Sequence, residues 1–406
     1  MKRLLALLMA VCMLLCLAAC GGKADKPAED TTATTTTEDA TDSTTTVDLS
    51  DCTTTTDATT TVDTTAGTKA PTTTKKPTTT TAANEDDDDD DDGWNGWEPP
   101  IPPEVYTTTA PQPDNRPTIK ILSIGHSFSV DAMRTYMWDL FEAAGYNTTI
   151  AYLFYPGCSL ERQYHYITEN QAAYQQYAKN TDGIWEVEYN ARALTALWDE
   201  DWDIVTFQPS PDYGAGTMTY QCEWGCKKKV NDYDHFNALV QYVKESLEDK
   251  YNPHGPNTDV KFYYHLTWAF AEDCRLWSFG SYHDYNQMGM YDAFLAATKK
   301  YVLPNKTIQG VIPCITSIQN ARTSWMGDTF NEPGENDPNK DGYHLNDKGD
   351  LVAAMTWVAY FSGKKAMDFK IGCKYTDAEY KAFAEAVDNA IAKWDSVTES
   401  SYKTQP

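Results

Sequence analysis

The chain has 406 residues and a formal net charge of −26, with 41% hydrophobic and 23% charged residues. Its length leaves room for a domain with a sizeable hydrophobic core. The acidic balance argues against nucleic acids and anionic polymers as partners, because like charges repel, and it favours a neutral substrate.

The first twenty residues have the features of an export signal. Two basic residues precede an apolar run that ends at Leu17 and is too short to span a bilayer comfortably. The ending Leu17-Ala18-Ala19-Cys20 resembles the lipobox of bacterial lipoproteins, in which the cysteine is acylated. We therefore expect a lipoprotein signal peptide at 1–20, lipidation of Cys20, and an extracellular protein anchored to the bacterial cell membrane by this lipid. An ordinary secretory signal is the alternative.

A polar linker follows at 21–117. Thr, Asp and Pro are abundant there, and few aliphatic side chains are available to offset the entropy of ordering. The acidic run Asp86 to Asp92 lacks the turn glycine of a calcium loop, so we interpret it as a self-repelling spacer. We expect a disordered linker at 21–117, a folded domain at 118–396 and a flexible tail at 397–406.

Short β-rich runs alternate with helical patterns in the folded part. The predicted strands are 119–124, 148–154, 203–208, 260–267 and 308–314, and the predicted helices are 130–144, 187–198, 235–250, 291–301, 346–361 and 377–394. This alternation predicts βαβ units. We expect a three-layer α/β/α sandwich with a mainly five-stranded parallel sheet and an active site beyond the carboxyl ends of its strands.

The folded part contains six cysteines, namely Cys158, Cys222, Cys226, Cys274, Cys314 and Cys373. Export permits disulfides, and Cys222 and Cys226 are the natural local pair. A zinc site that combines this pair with His235 is an alternative, but a second matched pair of ligands is missing. We predict no metal and no cofactor.

A serine after the first predicted strand is the candidate nucleophile. In Gly125-His126-Ser127-Phe128-Ser129, the glycine permits a tight turn that exposes a hydroxyl, and the following helix start offers backbone N–H groups to a developing oxyanion. Serine also caps helices, and we expect Ser129 to do so here. The motif alone therefore favours a helix cap over a nucleophile.

Asp341-Gly342-Tyr343-His344 supplies a candidate acid–base pair. A carboxylate three residues before the histidine can bond to its imidazole and fix the tautomer, so that the other ring nitrogen faces a hydroxyl. The overlapping segment from Asp337 to Gly342 fits the first half of an EF-hand loop. Lys348 stands where that loop requires a glutamate, so we do not expect calcium here.

The order of these motifs resembles the SGNH (GDSL-like) hydrolase superfamily over about residues 118 to 362, with its flavodoxin-like fold. It is most similar to a bacterial branch that opens on Gly-Asn/His-Ser-Phe-Ser. The resemblance implies that Ser127 is the nucleophile, His344 its base and Asp341 the orienting acid. It also implies that the backbone N–H groups of Ser127 and Gly157 line an oxyanion hole.

Two positions depart from that pattern. His126 stands where the family motif has aspartate, and Phe207-Gln208-Pro209-Ser210 replaces the usual Gly-x-Asn-Asp block after the third predicted strand. Gln208 can donate a side-chain N–H to the oxyanion as asparagine does, from a longer arm. If Gln208 only ends the strand, two backbone donors remain.

We therefore expect a serine esterase that removes small acyl groups, acetyl above all, from glycans. Aromatic residues in the long loops suit sugar rings, although they also pack loops onto cores; they are Trp224, Trp268, Trp277 and Tyr282. Lipid or thioester acyl chains are alternative substrates. An inactive surface glycan-binding protein on a hydrolase fold is the alternative from another class.

Overall fold

The computed structural model describes residues 115–221, 229–333 and 341–405. The predicted signal peptide, the lipidation site Cys20 and nearly all of the linker lie outside these residues. Cys222, Cys226, Trp224 and the first part of the EF-hand-like segment also lie outside them. Within the described part of the chain, no helix combines the length and the apolar character needed to cross a bilayer.

A seven-stranded sheet forms the centre of the domain, in the order β4-β3-β2-β1-β5-β8-β9. Its strands are β1 Thr118–Gly125, β2 Asn147–Phe154, β3 Tyr174–Lys179, β4 Trp185–Ala191, β5 Ile204–Phe207, β8 Lys261–Leu266 and β9 Ile308–Pro313. A separate two-stranded hairpin consists of β6 Tyr220–Gln221 and β7 Lys229–Val230. The five predicted strands are confirmed, and they form the parallel part of the sheet.

Helices flank this sheet, and the predicted α/β class is confirmed. They are α1 Ser127–Met133, α2 Met137–Ala143, α3 Leu160–Thr168, α4 Ala193–Trp198, α5 Phe236–Leu247, α6 Trp277–His283, α7 Gln287–Ala297, α8 Cys314–Arg322, α9 Asp347–Ser362 and α10 Asp377–Ala392. A π-helical turn, Thr298–Val302, extends α7, and a 3₁₀ turn occupies Ala366–Phe369. The arrangement is consistent with a three-layer α/β/α fold.

The helix predicted at 187–198 is wrong in its first half. Residues 185–191 form β4, which pairs antiparallel with β3, and β3 pairs antiparallel with β2. Only 193–198 are helical. Val187 and Tyr189 on β4 are exposed. The sequence of this strand therefore lacks the regular alternation of buried apolar and exposed polar residues that identifies a strand. Backbone partners on β3 therefore decided the conformation of this edge segment.

Other boundaries also differ from the prediction. The helix expected at 130–144 is divided into α1 and α2, and α3, α6 and α8 were not predicted. The predicted flexible tail is not free: the backbone N–H of Thr398 donates to Asn320 (2.6 Å), and that of Ser400 donates to Thr323 (2.7 Å). The folded domain therefore extends past residue 396.

The parallel strands end at one edge of the sheet. Gly125 at the end of β1 lies opposite Phe154 of β2, and Ile124 lies opposite Phe207 of β5. Both faces of the sheet are covered, so β1 is buried along most of its length. The connections after β1, β2 and β5 consequently start side by side, and they carry Ser127, Gly157 and Gln208, whereas Asp341 and His344 lie in the later loop between α8 and α9.

Candidate active site

The N-terminus of α1 positions Ser127, which retains 8% exposure. The sequence had suggested Ser129 as the N-cap of this helix, but the N-cap is His126. Nδ1 of His126 accepts a hydrogen bond from the backbone N–H of Phe128 (3.3 Å). Burial lowers the pKa of His126 to about 3. The neutral ring therefore has one N–H, which Nε2 donates to the carbonyl of Pro209 (2.8 Å).

Gln208 is almost fully buried beside the turn that carries Ser127. Its Oε1 accepts hydrogen bonds from the Ser129 hydroxyl (3.0 Å) and from Nδ1 of His265 (3.2 Å). Burial lowers the pKa of His265 to about 3, so its ring is neutral and has one N–H. Nδ1 is the nitrogen that donates, because it faces an oxygen that can only accept, Oε1 of Gln208. Nε2 of Gln208 has no hydrogen-bond partner among the described residues, so the N–H groups of this buried amide remain available as donors.

Gly125 makes room for this amide. A Cβ at Gly125 would lie 2.5 Å from both Cδ and Nε2 of Gln208 and 2.5 Å from the Ser129 hydroxyl. The carbonyl of Gly125 also accepts from Nε2 of Gln163 (2.9 Å), whose Oε1 accepts from the Tyr174 hydroxyl (2.6 Å). The glycine of the motif is thus required by close packing at the end of β1.

Asp341 and His344 form the predicted pair. Oδ2 of Asp341 lies 2.5 Å from Nδ1 of His344, and Oδ1 accepts the backbone N–H groups of Tyr343 and His344, each at 2.9 Å. Burial would raise the pKa of Asp341, but its hydrogen bond to His344, the charge of that ring and the backbone donors lower it. The carboxylate therefore stays ionised and fixes the imidazole with Nε2 on the far side.

The His344 ring packs against the neighbour of Ser127 in the chain. Its centroid lies 5.6 Å from that of Phe128, edge to face at 78°. Phe128 stacks on Trp268 (4.4 Å), and Nε1 of Trp268 donates to the carbonyl of Tyr343 (2.8 Å). Trp268 is therefore a buried support of the loop that carries His344, and the helix of Ser127 and the loop of His344 meet.

Asp131 joins these two elements directly. It is one helical turn after Ser127 on α1, and its Oδ2 accepts the backbone N–H of Leu345 (3.0 Å). Burial raises the pKa of Asp131 to about 7. Burial and the charge of Asp131 raise the pKa of the neighbouring Asp350 well above its ordinary value. Asp350 keeps the higher pKa of the two, because Asp131 has a backbone donor and the nearby imidazole to stabilise its charge.

Several charges act on the His344 imidazole. Burial lowers its pKa, but the carboxylates of Asp131, Asp341 and Glu332 outweigh burial and raise the pKa above its ordinary value. His126 faces it as a neutral ring. The base is thus tuned by carboxylates on three separate segments, of which the sequence had indicated only Asp341.

Gly157 lies at the same sheet edge, in the turn between β2 and α3. It is exposed, its φ is +54°, and the turn closes through a hydrogen bond from the Cys158 N–H to the Tyr155 carbonyl (3.3 Å). The structure thus joins Asp341 to His344, packs the His344 ring on Phe128, the residue after Ser127, and holds Gln208 against Ser129, while Gly157 follows the strand β2 that pairs with β1. The described cysteines Cys274, Cys314 and Cys373 are free thiols.

An aromatic patch borders this edge, formed by Tyr213, Tyr220, Trp277 and Tyr282. Tyr213 stacks on Tyr220 (4.2 Å), and Trp277 contacts Tyr282 edge-on (5.3 Å). Trp277 is 57% exposed. The two halves belong to the connections after β5 and β8, and the Ser278 hydroxyl joins them through Asp212 (2.5 Å). A cavity of about 510 Å³ lies elsewhere, along β3 and β4, and has none of the predicted catalytic residues in its lining.

A family model described as "Domain of unknown function (DUF4886)" matches residues 120–384, and the chain belongs to this family. The crystal structure of a DUF4886 family protein from Bacteroides uniformis ATCC 8492, at 1.50 Å resolution, is similar, with 32% sequence identity and a TM-score of 0.60. The alignment covers 70% of this chain and 98% of that chain. No curated protein matches.

Replacing Gly125 with alanine should destabilise the domain by about 1–3 kcal/mol, because the new methyl group displaces the Gln208 amide in a packed interior. Gly372→Ala is the matched control, since a Cβ there has nothing within 4 Å. Urea unfolding of the two variants measures the difference. Equal free energies of unfolding would contradict the packing argument.

Asp131→Asn should lower the pKa of His344. The asparagine still accepts the Leu345 N–H, but the negative charge that stabilises the imidazolium is lost. The ring therefore becomes neutral at lower pH than in the wild type. Imidazole NMR titration measures this, with His344→Gln to assign the resonance. A pKa that stays unchanged or rises would show that Asp131 does not act on His344.

Proposed function

We propose that this protein is an extracellular serine esterase that removes small acyl groups, acetyl above all, from glycans. The observation that carries the proposal is the fixed Asp341–His344 pair, whose ring packs on Phe128, next to Ser127. The order and roles of these residues are those that the resemblance to SGNH hydrolases implies.

The reaction follows from these groups. The Ser127 hydroxyl attacks the ester carbonyl while Nε2 of His344 takes its proton, and Asp341 stabilises the resulting imidazolium. The tetrahedral intermediate collapses, and the imidazolium returns the proton to the departing sugar hydroxyl. Water then attacks the acyl-enzyme, His344 again accepts and returns a proton, and the carboxylic acid leaves.

Gln208 supports the oxyanion in this proposal. Its Oε1 is held by Ser129 and His265, so Nε2 is the end of the amide that remains to donate to a substrate oxygen. Such a donor is preorganised, since the two groups that donate to its Oε1, the Ser129 hydroxyl and Nδ1 of His265, are themselves fully buried. The backbone N–H groups of Ser127 and Gly157 complete the set that the resemblance implies.

The surroundings favour a small acyl group on a sugar. Ser127 is only 8% exposed, which leaves little space for a long acyl chain at the nucleophile. The aromatic patch, with Trp277 at its exposed end, offers ring faces on which a sugar can stack. The surface location rests on the signal-like sequence that ends at Cys20.

Two other functions stay open. A lipid or thioester hydrolase would use the same triad, but it needs an apolar groove for the chain. An inactive glycan-binding protein would use the aromatic patch alone, and it would not require the hydrogen bond between Asp341 and His344. We favour the esterase because a carboxylate that fixes the imidazole is the support that a general base needs.

Ser127→Ala should abolish ester hydrolysis and labelling by a fluorophosphonate probe, because both need the same hydroxyl. The wild type should hydrolyse p-nitrophenyl acetate faster than the palmitate ester. Ser396→Ala, at an exposed serine of the C-terminal segment, serves as the control. Hydrolysis that survives in Ser127→Ala would exclude this mechanism, a palmitate optimum would favour the lipid hydrolase, and glycan binding without labelling would favour the binding protein.

Gln208→Ala should lower kcat by about 10²–10³, the usual cost of losing one oxyanion donor. Gln208→Glu should be at least as slow, because it puts negative charge where the oxyanion forms. Gln241→Ala, on the exposed face of α5, should leave kcat unchanged. Steady-state kinetics on an acetyl ester test this, with circular dichroism to check folding. A kcat for Gln208→Ala equal to that of the wild type would remove Gln208 from the mechanism.

A further inference from the structure

A second cluster of chemically active side chains lies apart from the triad, between α3 and the start of α5. Glu161, His165 and His235 each offer one ligand atom, and these atoms lie within 4.8 Å of one another. From the sequence, we predicted no metal. The sequence feature that could have indicated this cluster is the Glu-x-x-x-His spacing, because it puts Glu161 and His165 on one face of α3.

Glu161 is 1% exposed, and a buried carboxylate is costly unless charge or hydrogen bonds compensate it. A second buried carboxylate, Asp232, lies beside it and accepts the backbone N–H of Leu160 (2.8 Å) and that of Ser210 (3.3 Å). A divalent cation bound by Glu161 would add positive charge beside these two buried carboxylates.

Both imidazole rings are held in place by their neighbours. Nδ1 of His165 lies 3.3 Å from a carboxylate oxygen of Glu169, which directs Nε2 to the opposite side of the ring. A carboxylate on the distal nitrogen is the usual support of a metal-binding histidine. The His235 ring stacks face to face on Tyr164 (4.7 Å, 7°) and lies 5.6 Å from the His165 ring.

We propose that Glu161, His165 and His235 form a binding site for a divalent transition metal, with Zn²⁺ as the best match. Two imidazoles and one carboxylate are a ligand set that zinc accepts, with a water molecule in the fourth position, whereas Mg²⁺ and Ca²⁺ prefer oxygen ligands. The set shares His235 with the zinc alternative considered from the sequence, but it needs neither cysteine of that alternative.

The metal would have a structural role at the edge of the sheet. Glu161 follows Gly157 by four residues, and His235 ends the connection that starts at Gln208. Asp232 already joins these two connections through its backbone donors. Zinc bound to Glu161 and His235 would join these two connections at a second point. It would thus help to hold two of the three proposed oxyanion donors, Gly157 and Gln208, in position. Metal binding itself does not depend on the proposed hydrolysis.

Isothermal titration calorimetry with ZnCl₂ on the purified chain tests this inference, with MgCl₂ and CaCl₂ as comparators. We expect the wild type to bind about one Zn²⁺ more per chain than His165→Ala/His235→Ala, since the acidic linker is identical in both. Glu169→Gln keeps all three ligands and should weaken binding about 10–100-fold. His254→Ala, at an exposed histidine, should bind as the wild type does.

Thermal unfolding gives an independent readout. Zn²⁺ should raise the Tm of the wild type but not that of the conservative variants Glu161→Gln and His165→Asn. It should also raise the Tm of Ser127→Ala, which separates metal binding from the proposed esterase activity. Equal zinc stoichiometry and affinity in the wild type and the double variant would overturn the assignment. So would a Tm increase that persists in Glu161→Gln and His165→Asn.

Discussion

The hydrogen bond from the Leu345 N–H to Asp131 is the constraint on which the candidate active site depends. It joins α1, which begins at Ser127, to a loop more than two hundred residues later in the chain. The stacked rings of Phe128 and Trp268 reinforce this link, since Trp268 also holds the carbonyl of Tyr343. Hydroxyl and imidazole are thus positioned by buried contacts of their neighbours in the chain, which resist displacement more than exposed loop contacts would.

Neutral polar groups fill the space behind the nucleophile. His126 and His265 are buried as uncharged rings, and each has a defined hydrogen-bond acceptor, the Pro209 carbonyl and Oε1 of Gln208. This arrangement keeps positive charge away from the base and leaves the carboxylates of Asp131 and Asp341 to set its pKa. A buried amide whose oxygen is satisfied and whose nitrogen is available is costly in a purely structural role, and this cost is the reason to assign Gln208 a place in the chemistry.

The two proposed sites use one architectural feature. Connections that leave neighbouring parallel strands start side by side, so residues distant in sequence are brought to one edge. The proposed catalytic groups lie in the connections after β1 and β5 and in the later loop of His344, and the proposed metal ligands lie in those after β2 and β5. Membership in the DUF4886 family and the similarity to the Bacteroides uniformis structure establish the fold that provides this edge. The chemistry has to be argued from the residues, because one fold supports many functions.

The sequence by itself determined the parallel core and the Asp341–His344 pair. Apolar β-rich runs mark buried strands, and a spacing of three residues suffices to place a carboxylate on an imidazole. It also indicated Ser127 and Gln208 by their positions at strand ends. Tertiary structure decided the rest: β4 needed a partner strand to form, His126 took the cap expected of Ser129 because Pro209 fixes its ring, and Asp131 gained its role only when α1 met Leu345. Such contacts join segments far apart in the chain, and local sequence patterns contain no information on which distant partners will meet.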